Sequence, residues 1–90
     1  MFKCIKARVY GKVQGVYFRQ YTFMKAKELN LVGFVKNEPD GSVLTFAQGF
    51  EDQLKEFIEF LKEGSPASKV ERVEWEYVPL HFFQNFQVIR

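Results

Sequence analysis

The sequence has one cysteine and one histidine, and both scarcities exclude particular kinds of site. Cys4 has no second cysteine to pair with, so no intrachain disulfide can form, and its neighbours do not suggest a metal cluster. His81 lies in a predicted loop, without Asp or Cys at positions matched to a catalytic triad. No spacing resembles a zinc or calcium site. The sequence therefore argues against both triad chemistry and metal chemistry.

Long apolar runs and a strong net charge are also missing. No segment approaches the ~18 apolar residues of a membrane span, and charged residues interrupt the N-terminus where a signal peptide would lie. The 13 basic and 11 acidic side chains leave a net charge of +2, which provides no broad field to steer nucleic acid. We expect a soluble, cytoplasmic protein with no membrane or nucleic-acid partner, so any anion must bind locally.

Large aromatic side chains, in contrast, are plentiful, with 11 phenylalanines among 90 residues. A chain of this length buries about two thirds of its extended surface around one core, and phenylalanine suits such a core. The sequence contains no internal repeat, linker or low-complexity segment. We predict one domain over residues 1–90.

The hydrophobic periodicity predicts strands and helices in a recognisable order. Alternating apolar residues predict strands at residues 3–10 and 70–78, β-forming residues predict strands at 32–36 and 42–48, and residues 86–90 suggest a short terminal strand. Helical spacing predicts helices at residues 18–30 and 51–63, and Asp40-Gly41 indicates a hairpin turn. The order β-α-β-β-α-β is that of the ferredoxin-like split β-α-β plan, an α+β fold with two helices on one face of an antiparallel sheet.

The loop between the first strand and the first helix has the features of an anion site. A helix N-terminus presents unpaired N–H groups and partial positive charge, so Arg19 in the first turn is unfavourable unless an anion joins it. Gly11 and Gly15 can adopt positive φ, which lets successive amides turn towards one group. The alternative is an ordinary glycine-containing connector with a solvated arginine.

Asn37 ends the second predicted strand and has two interpretations. Asparagine before a turn commonly bonds its own backbone. Its carboxamide could instead hold a water molecule. In a split β-α-β sheet the end of the second strand lies close to the loop after the first, so we expect Asn37 near Arg19.

Two segments resemble the two signatures of the acylphosphatase family. Residues 9–19 read VYGKVQGVYFR, and residues 33–43 read GFVKNEPDGSV and continue to Gly49. The resemblance extends over nearly the whole chain, through Ser65-Pro66 and residues 86–90. Phe34 stands where many members have tryptophan, and Tyr17 occupies a position that varies in the family.

This resemblance implies hydrolysis of an acyl phosphate to a carboxylate and inorganic phosphate, with no metal and no cofactor. It implies that Asn37 orients the attacking water and that Arg19 binds the phosphoryl oxygens. Inorganic phosphate or sulfate would bind as a product-like ligand, and we expect a monomer. The amides that would complete the phosphate cradle belong to Gln14, Gly15, Val16, Tyr17, Phe18 and Arg19.

Two other functions fit a ferredoxin-like fold, because the fold alone does not decide function. One is single-stranded RNA binding, with bases stacked on exposed aromatic side chains of the open sheet face. The weak net charge and the absence of an RNA-recognition strand motif argue against it. The other is a non-catalytic domain that senses phosphate or an acyl phosphate without turnover.

Overall fold

The computed structural model describes residues 1–90 and contains seven regular elements. Five strands and two helices follow one another in the predicted order β-α-β-β-α-β, and a short fifth strand comes last. The helices are α1 (Phe18–Glu28) and α2 (Glu51–Glu63), and the strands are β1 (Phe2–Lys12), β2 (Val32–Asn37), β3 (Val43–Phe50), β4 (Lys69–Val78) and β5 (Phe86–Ile89).

The five strands form one sheet in the order β4-β1-β3-β2-β5. The first four strands pair antiparallel, and β5 pairs parallel to β2 at the far edge. The predicted ferredoxin-like α+β plan is confirmed, and the fifth strand makes the sheet mixed. β5 can run parallel to β2 because the chain crosses the whole sheet between β4 and β5.

Both helices pack on the same face of the sheet, where the core lies. In α2, four apolar residues at helical spacing are buried, and the first turn carries Glu51 and Asp52, which suit the positive end of the helix dipole. α1 buries a narrower stripe. Truncating a core side chain such as Phe57 to alanine typically costs about 3–5 kcal/mol. Neither helix combines the length and apolar character that a membrane crossing needs. The buried helical residues are Leu54, Phe57, Ile58 and Leu61 in α2, with Phe18, Thr22 and Ala26 in α1.

The connection between β4 and β5, residues 79–85, crosses the opposite face of the sheet and is called the crossing segment below. Four inter-strand gaps amount to about 19 Å, so a connection of this length must run extended. Gln48 on β3 holds it, because Gln48 Nε2 donates to His81 O at 2.9 Å and His81 N donates to Gln48 Oε1 at 2.8 Å. Under it lies Cys4, and burial raises the pKa of this thiol.

The end of β1 contains a β-bulge that leads into the following loop. The pairing of β1 with β4 shifts register between Tyr10 and Gly11. Gly11 has a φ of 127°, and a Cβ there would lie 2.2 Å from the Lys69 carbonyl oxygen. Only glycine fits this close approach. The bulge bends the strand where the chain turns towards α1.

Candidate active site

The loop of residues 13–17 joins β1 to α1 and has an unusual backbone. Gly15 has a φ of 74° and Tyr17 has a φ of 61°, with Val16 between them. Alternation between left-handed and ordinary conformations turns successive N–H groups towards the same side. Val13 and Val16 are buried and anchor the loop to the core. The loop therefore has the geometry of an anion-binding concavity.

The amides of this loop and of the first turn of α1 are free of protein acceptors. No side chain caps the helix N-terminus, where Tyr17 is the N-cap residue. The first main-chain hydrogen bond of the helix runs from Tyr21 N to Tyr17 O at 3.0 Å, and residues 14–20 donate none in the loop or turn. Gly15, Tyr17 and Gln20 are exposed, so N–H groups here can be reached from solvent. These N–H groups are thus available to a ligand.

Three long-range hydrogen bonds, donated by two side chains, hold the loop in place. Ser65 Oγ, just after α2, donates to the Val16 carbonyl oxygen at 2.8 Å in a buried contact. From the other side, Gln14 Nε2 donates to Glu38 O at 2.8 Å and to Ser42 O at 2.9 Å. The loop is therefore fixed to α2 and to the β2–β3 hairpin.

Arg19 lies in the first turn of α1 and is half-buried. Its Nη1 donates to the Ile89 carbonyl oxygen at 2.9 Å, and no carboxylate pairs with it. A guanidinium has five N–H donors, so one carbonyl fixes the group and leaves the others for a ligand. Sequence reasoning missed Ile89, because no local signal links two residues 70 positions apart.

Asn37 is the last residue of β2, and its Oδ1 is buried without a hydrogen-bond partner. The local turn bonding that asparagine could provide comes from Asp40, whose Oδ1 accepts from Ser42 N at 2.9 Å and Ser42 Oγ at 2.6 Å. The hydroxyl and amide of Ser42 hold the pKa of the Asp40 carboxyl below its usual value. A buried unpaired acceptor costs about 1–3 kcal/mol, so Asn37 Oδ1 is a natural partner for a ligand or water.

Arg19 and Asn37 line the same cavity, which has a volume of about 410 Å³. Gly15, Tyr17 and Phe18 line it as well, whereas Gln14 and Val16 do not: the Gln14 side chain bonds the β2–β3 hairpin, and Val16 is buried. The predictions for those two residues concern main-chain amides and stay predictions. No carboxylate side chain lines the cavity. The complete lining is Val13, Gly15, Tyr17, Phe18, Arg19, Gln20, Asn37, Val88 and Arg90.

Four residues of this lining were not predicted as site residues, namely Val13, Gln20, Val88 and Arg90. Val88 and Arg90 reach the cavity because β5 pairs parallel to β2, with Val88 opposite Val35. The sequence indicates that β5 exists but does not indicate which strand it joins. No group of three or more His, Cys, Asp or Glu side chains is arranged so that it could hold a metal ion.

Comparison with known proteins gives one consistent family. The acylphosphatase family model matches residues 5–88. An acylphosphatase from Acaryochloris marina is 44% identical over 87 residues, which cover 97% of this chain and 94% of the relative. The structure of an acylphosphatase from Coxiella burnetii matches with a TM-score of 0.95 and 41% identity, covering 98% of this chain and 93% of that one. Full-length HypF in a phosphate- and nucleotide-bound form matches with a TM-score of 0.89 and 25% identity, over 100% of this chain and 12% of HypF.

Proposed function

Because the chain belongs to the acylphosphatase family, we propose that the cavity beside α1 hydrolyses acyl phosphates without a metal ion. The reaction adds water to the phosphorus of a carboxyl-phosphate anhydride, breaks the bond to the carboxyl oxygen, and yields a carboxylate and inorganic phosphate. The observation that carries the proposal is a set of unpaired amides beside the same cavity as Arg19 and Asn37.

Phosphoryl binding is assigned to Arg19 and to the main-chain amides of Gln14, Gly15, Val16, Tyr17, Phe18 and Arg19. Phosphoryl transfer depends mainly on positioning and on stabilising charge on the equatorial oxygens. Fixed amides and a planar guanidinium provide both, and the bond from Arg19 to Ile89 O orients the guanidinium in advance. HypF, which shares this fold, has been solved in a phosphate-bound form.

Water positioning is assigned to Asn37. Its buried Oδ1 lacks a partner, and an attacking water can donate a hydrogen to it. That bond would remove the cost of the unpaired acceptor and aim the water's oxygen at the phosphorus. The substrate's own phosphate can accept the proton that the water loses. In this scheme Asn37 acts on the nucleophile and Arg19 on the electrophile.

No general acid and no metal ion are needed for the leaving group. The departing carboxylate has a pKa near ~4, so it leaves as a stable anion without protonation. The positive charge that a metal would supply comes from Arg19 and from the dipole of α1. The substrate is therefore a small acyl phosphate, and phosphate or sulfate is a product-like ligand.

RNA binding is disfavoured because the crossing segment covers aromatic side chains on the face of the sheet that lies opposite the helices. Phe34 and Phe46 stack at 5.0 Å between ring centroids, and the crossing segment covers them. Phe83 lies 6.1 Å from Phe34, and His81 lies 5.4 Å from Phe46. The protein's own segment thus occupies the surface on which bases would stack.

We also propose a cytoplasmic location and a monomeric enzyme. Cys4 is an unpaired, buried thiol, which suits a reducing compartment. The cavity described above is formed by one chain.

One assay tests the proposed function. The purified protein is incubated with benzoyl phosphate, with and without EDTA, and phosphate release is followed. We expect turnover that EDTA leaves unchanged. Binding of inorganic phosphate without turnover would favour a phosphate sensor, loss of turnover in EDTA would contradict metal independence, and tight oligonucleotide binding without turnover would favour RNA recognition.

A further inference from the structure

The Gln14 side chain connects the loop of residues 13–17 to the β2–β3 hairpin, the two segments that contribute the loop amides and Asn37. Its Nε2 donates to both Glu38 O and Ser42 O, at 2.8 and 2.9 Å. These two residues face each other across the mouth of the β2–β3 hairpin, where Glu38 N donates to Ser42 O at 2.8 Å. Asn37 immediately precedes Glu38. The Gln14 carboxamide therefore holds the loop of residues 13–17, called the anion loop below, against the hairpin that positions Asn37.

No other side chain of the anion loop donates to this hairpin. Arg8 also reaches it, with Nη1 at 3.0 Å from Glu38 Oε1, but Arg8 lies on β1 and contacts a side chain. Gln14 contacts main-chain carbonyls, so its bonds constrain the backbone that leads directly into Asn37. The spacing between the loop amides and Asn37 thus depends on Gln14 more directly than on Arg8.

From this geometry we propose that the Gln14 side chain is a positioning residue, which sets the distance between the phosphoryl-binding amides and Asn37. The inference rests on the proposed function, because it assigns the electrophile to the loop and the water to Asn37. Glutamine suits the task, since its terminal NH₂ has two donors for two carbonyls. A carboxylate has none and would face two carbonyl oxygens. Methionine has similar length and no strong donor.

The expected consequence is kinetic rather than structural. In-line attack requires the water oxygen and the phosphorus at near-contact distance, and a displacement of about 1 Å can cost on the order of 100-fold in rate. Phosphate binding depends on the loop amides and Arg19, which Ser65 and Ile89 hold separately. Loss of Gln14 should therefore lower kcat while phosphate still binds.

The test compares Gln14→Met and Gln14→Glu with the wild type, measuring kcat, KM, inorganic phosphate affinity and thermal stability. We expect kcat to fall about tenfold or more in both variants, with phosphate affinity and KM within about twofold of wild type. An unchanged kcat, or an equal loss of phosphate affinity, would overturn the proposal.

Gln48→Met is a matched control. Gln48 also bonds two main-chain groups, those of His81, but this contact lies in the crossing segment and outside the cavity lining, and β5 is held in the sheet by its own pairing with β2 at four positions. We expect it to lower thermal stability and to leave kcat unchanged at temperatures where it is folded. A similar fall in kcat in this control would show that loss of any such contact impairs the enzyme, and would contradict a specific role of Gln14.

A double-mutant cycle with Asn37→Ala separates this inference from the proposed function. If Gln14 acts through Asn37, then Gln14→Met should have little further effect on kcat in the Asn37→Ala background. Equal factors in both backgrounds would overturn the role of Gln14 and leave that of Asn37 intact. If Asn37→Ala alone leaves kcat unchanged, the proposed function of Asn37 is wrong, and positioning by Gln14 fails with it.

Discussion

Arg19 occupies a position that costs stability unless a negative group is bound. Its charge lies at the positive end of the α1 dipole, an arrangement that costs about 0.3–1 kcal/mol at an exposed site. Its partner in the structure is a neutral carbonyl of Ile89 rather than a carboxylate. The guanidinium is thus held in place without being neutralised, which keeps its charge available for a phosphoryl group.

We expect Arg19→Ala to lower kcat/KM by more than about 100-fold, or roughly 3 kcal/mol, because a charge-assisted contact in the transition state is lost. Phosphate affinity should fall as well. Steady-state kinetics and calorimetric titration with phosphate measure both effects. The control is Arg72→Ala, which removes an exposed arginine stacked on Tyr10 at 3.9 Å. Unchanged phosphate affinity in Arg19→Ala would contradict the assignment.

Asn37→Ala should separate catalysis from binding. We expect a fall in kcat of about 100-fold with nearly unchanged phosphate affinity, because the role proposed for this side chain is to orient water and not to bind the phosphoryl group. The same two measurements report this, with exposed Asn85→Ala as the control. Loss of phosphate binding at unchanged kcat would reverse the roles of Arg19 and Asn37.

For individual residues, the sequence predicts Arg19 and Asn37 as site residues but not the hydrogen bonds that hold the site in place. Arg19 and Asn37 follow from the anion argument and from the resemblance, and the structure places both beside one cavity. The Ile89 carbonyl and the Gln14 carboxamide could not be predicted, because their partners are distant in the sequence and depend on tertiary packing. Their contacts carry no local pattern.

Among the elements, the turn from β1 into α1 depends on a glycine for steric reasons. We expect Gly11→Ala to destabilise the protein by more than about 3 kcal/mol, because both the positive φ and the 2.2 Å approach to Lys69 O must be relieved. Gly41→Ala is the matched control, since its φ is 93° with open space around the added Cβ. Chemical denaturation measures both, and equal losses would show that the bulge imposes no steric requirement.

The β2–β3 hairpin should weaken in acid. Hydrogen bonds from Ser42 lower the pKa of Asp40 below its ordinary value of 3.8. A lowered folded-state pKa stabilises the protein above that ordinary value, and the contribution is lost as the pH falls through the lower folded value. Unfolding measured from pH 6 to about pH 2 should therefore show a loss that is smaller in Asp40→Asn. An identical acid profile in the variant would contradict this role.

Element boundaries were predicted well where local signals are strong. α2 was predicted at residues 51–63 and spans Glu51–Glu63, since it has acidic residues at its start and Gly64 at its end. α1 was predicted to reach Asn30 but ends at Glu28, because the chain reverses through Asn30 with a φ of 58°. β1 continues beyond the predicted end at Tyr10, because the bulge lets pairing with β4 resume.

For the molecule as a whole, β4 is the longer of the two edge strands of the sheet, with 10 residues against 4 in β5. Half of its residues are charged, and such residues on an edge disfavour pairing with another sheet. We expect a mass near 10.7 kDa by light scattering. Glu74→Thr with Glu76→Thr should increase the mass with concentration, whereas a stable wild-type dimer would contradict the expectation of a monomer.

The overall topology was predicted except at its far edge. The β-α-β-β-α-β order and the hairpin at Asp40-Gly41 fix the first four strands and both helices. β5 lies at that edge because it pairs with β2, and the crossing segment that leads to it also makes long-range contacts, with Gln48 and Phe46. Sequence periodicity indicates whether a segment is a strand or a helix, but it does not indicate which strand it pairs with in the sheet.

The hydrogen bond from Arg19 to the Ile89 carbonyl has a consequence for how the enzyme is made. Arg19 is synthesised early and its acceptor 70 residues later, so a nascent chain on the ribosome cannot yet orient this guanidinium. The cavity is complete only after β5 has been synthesised, because Val88 and Arg90 form part of its lining. A ribosome-bound chain whose Ile89 is still inside the exit tunnel would accordingly lack the contact that orients the Arg19 guanidinium.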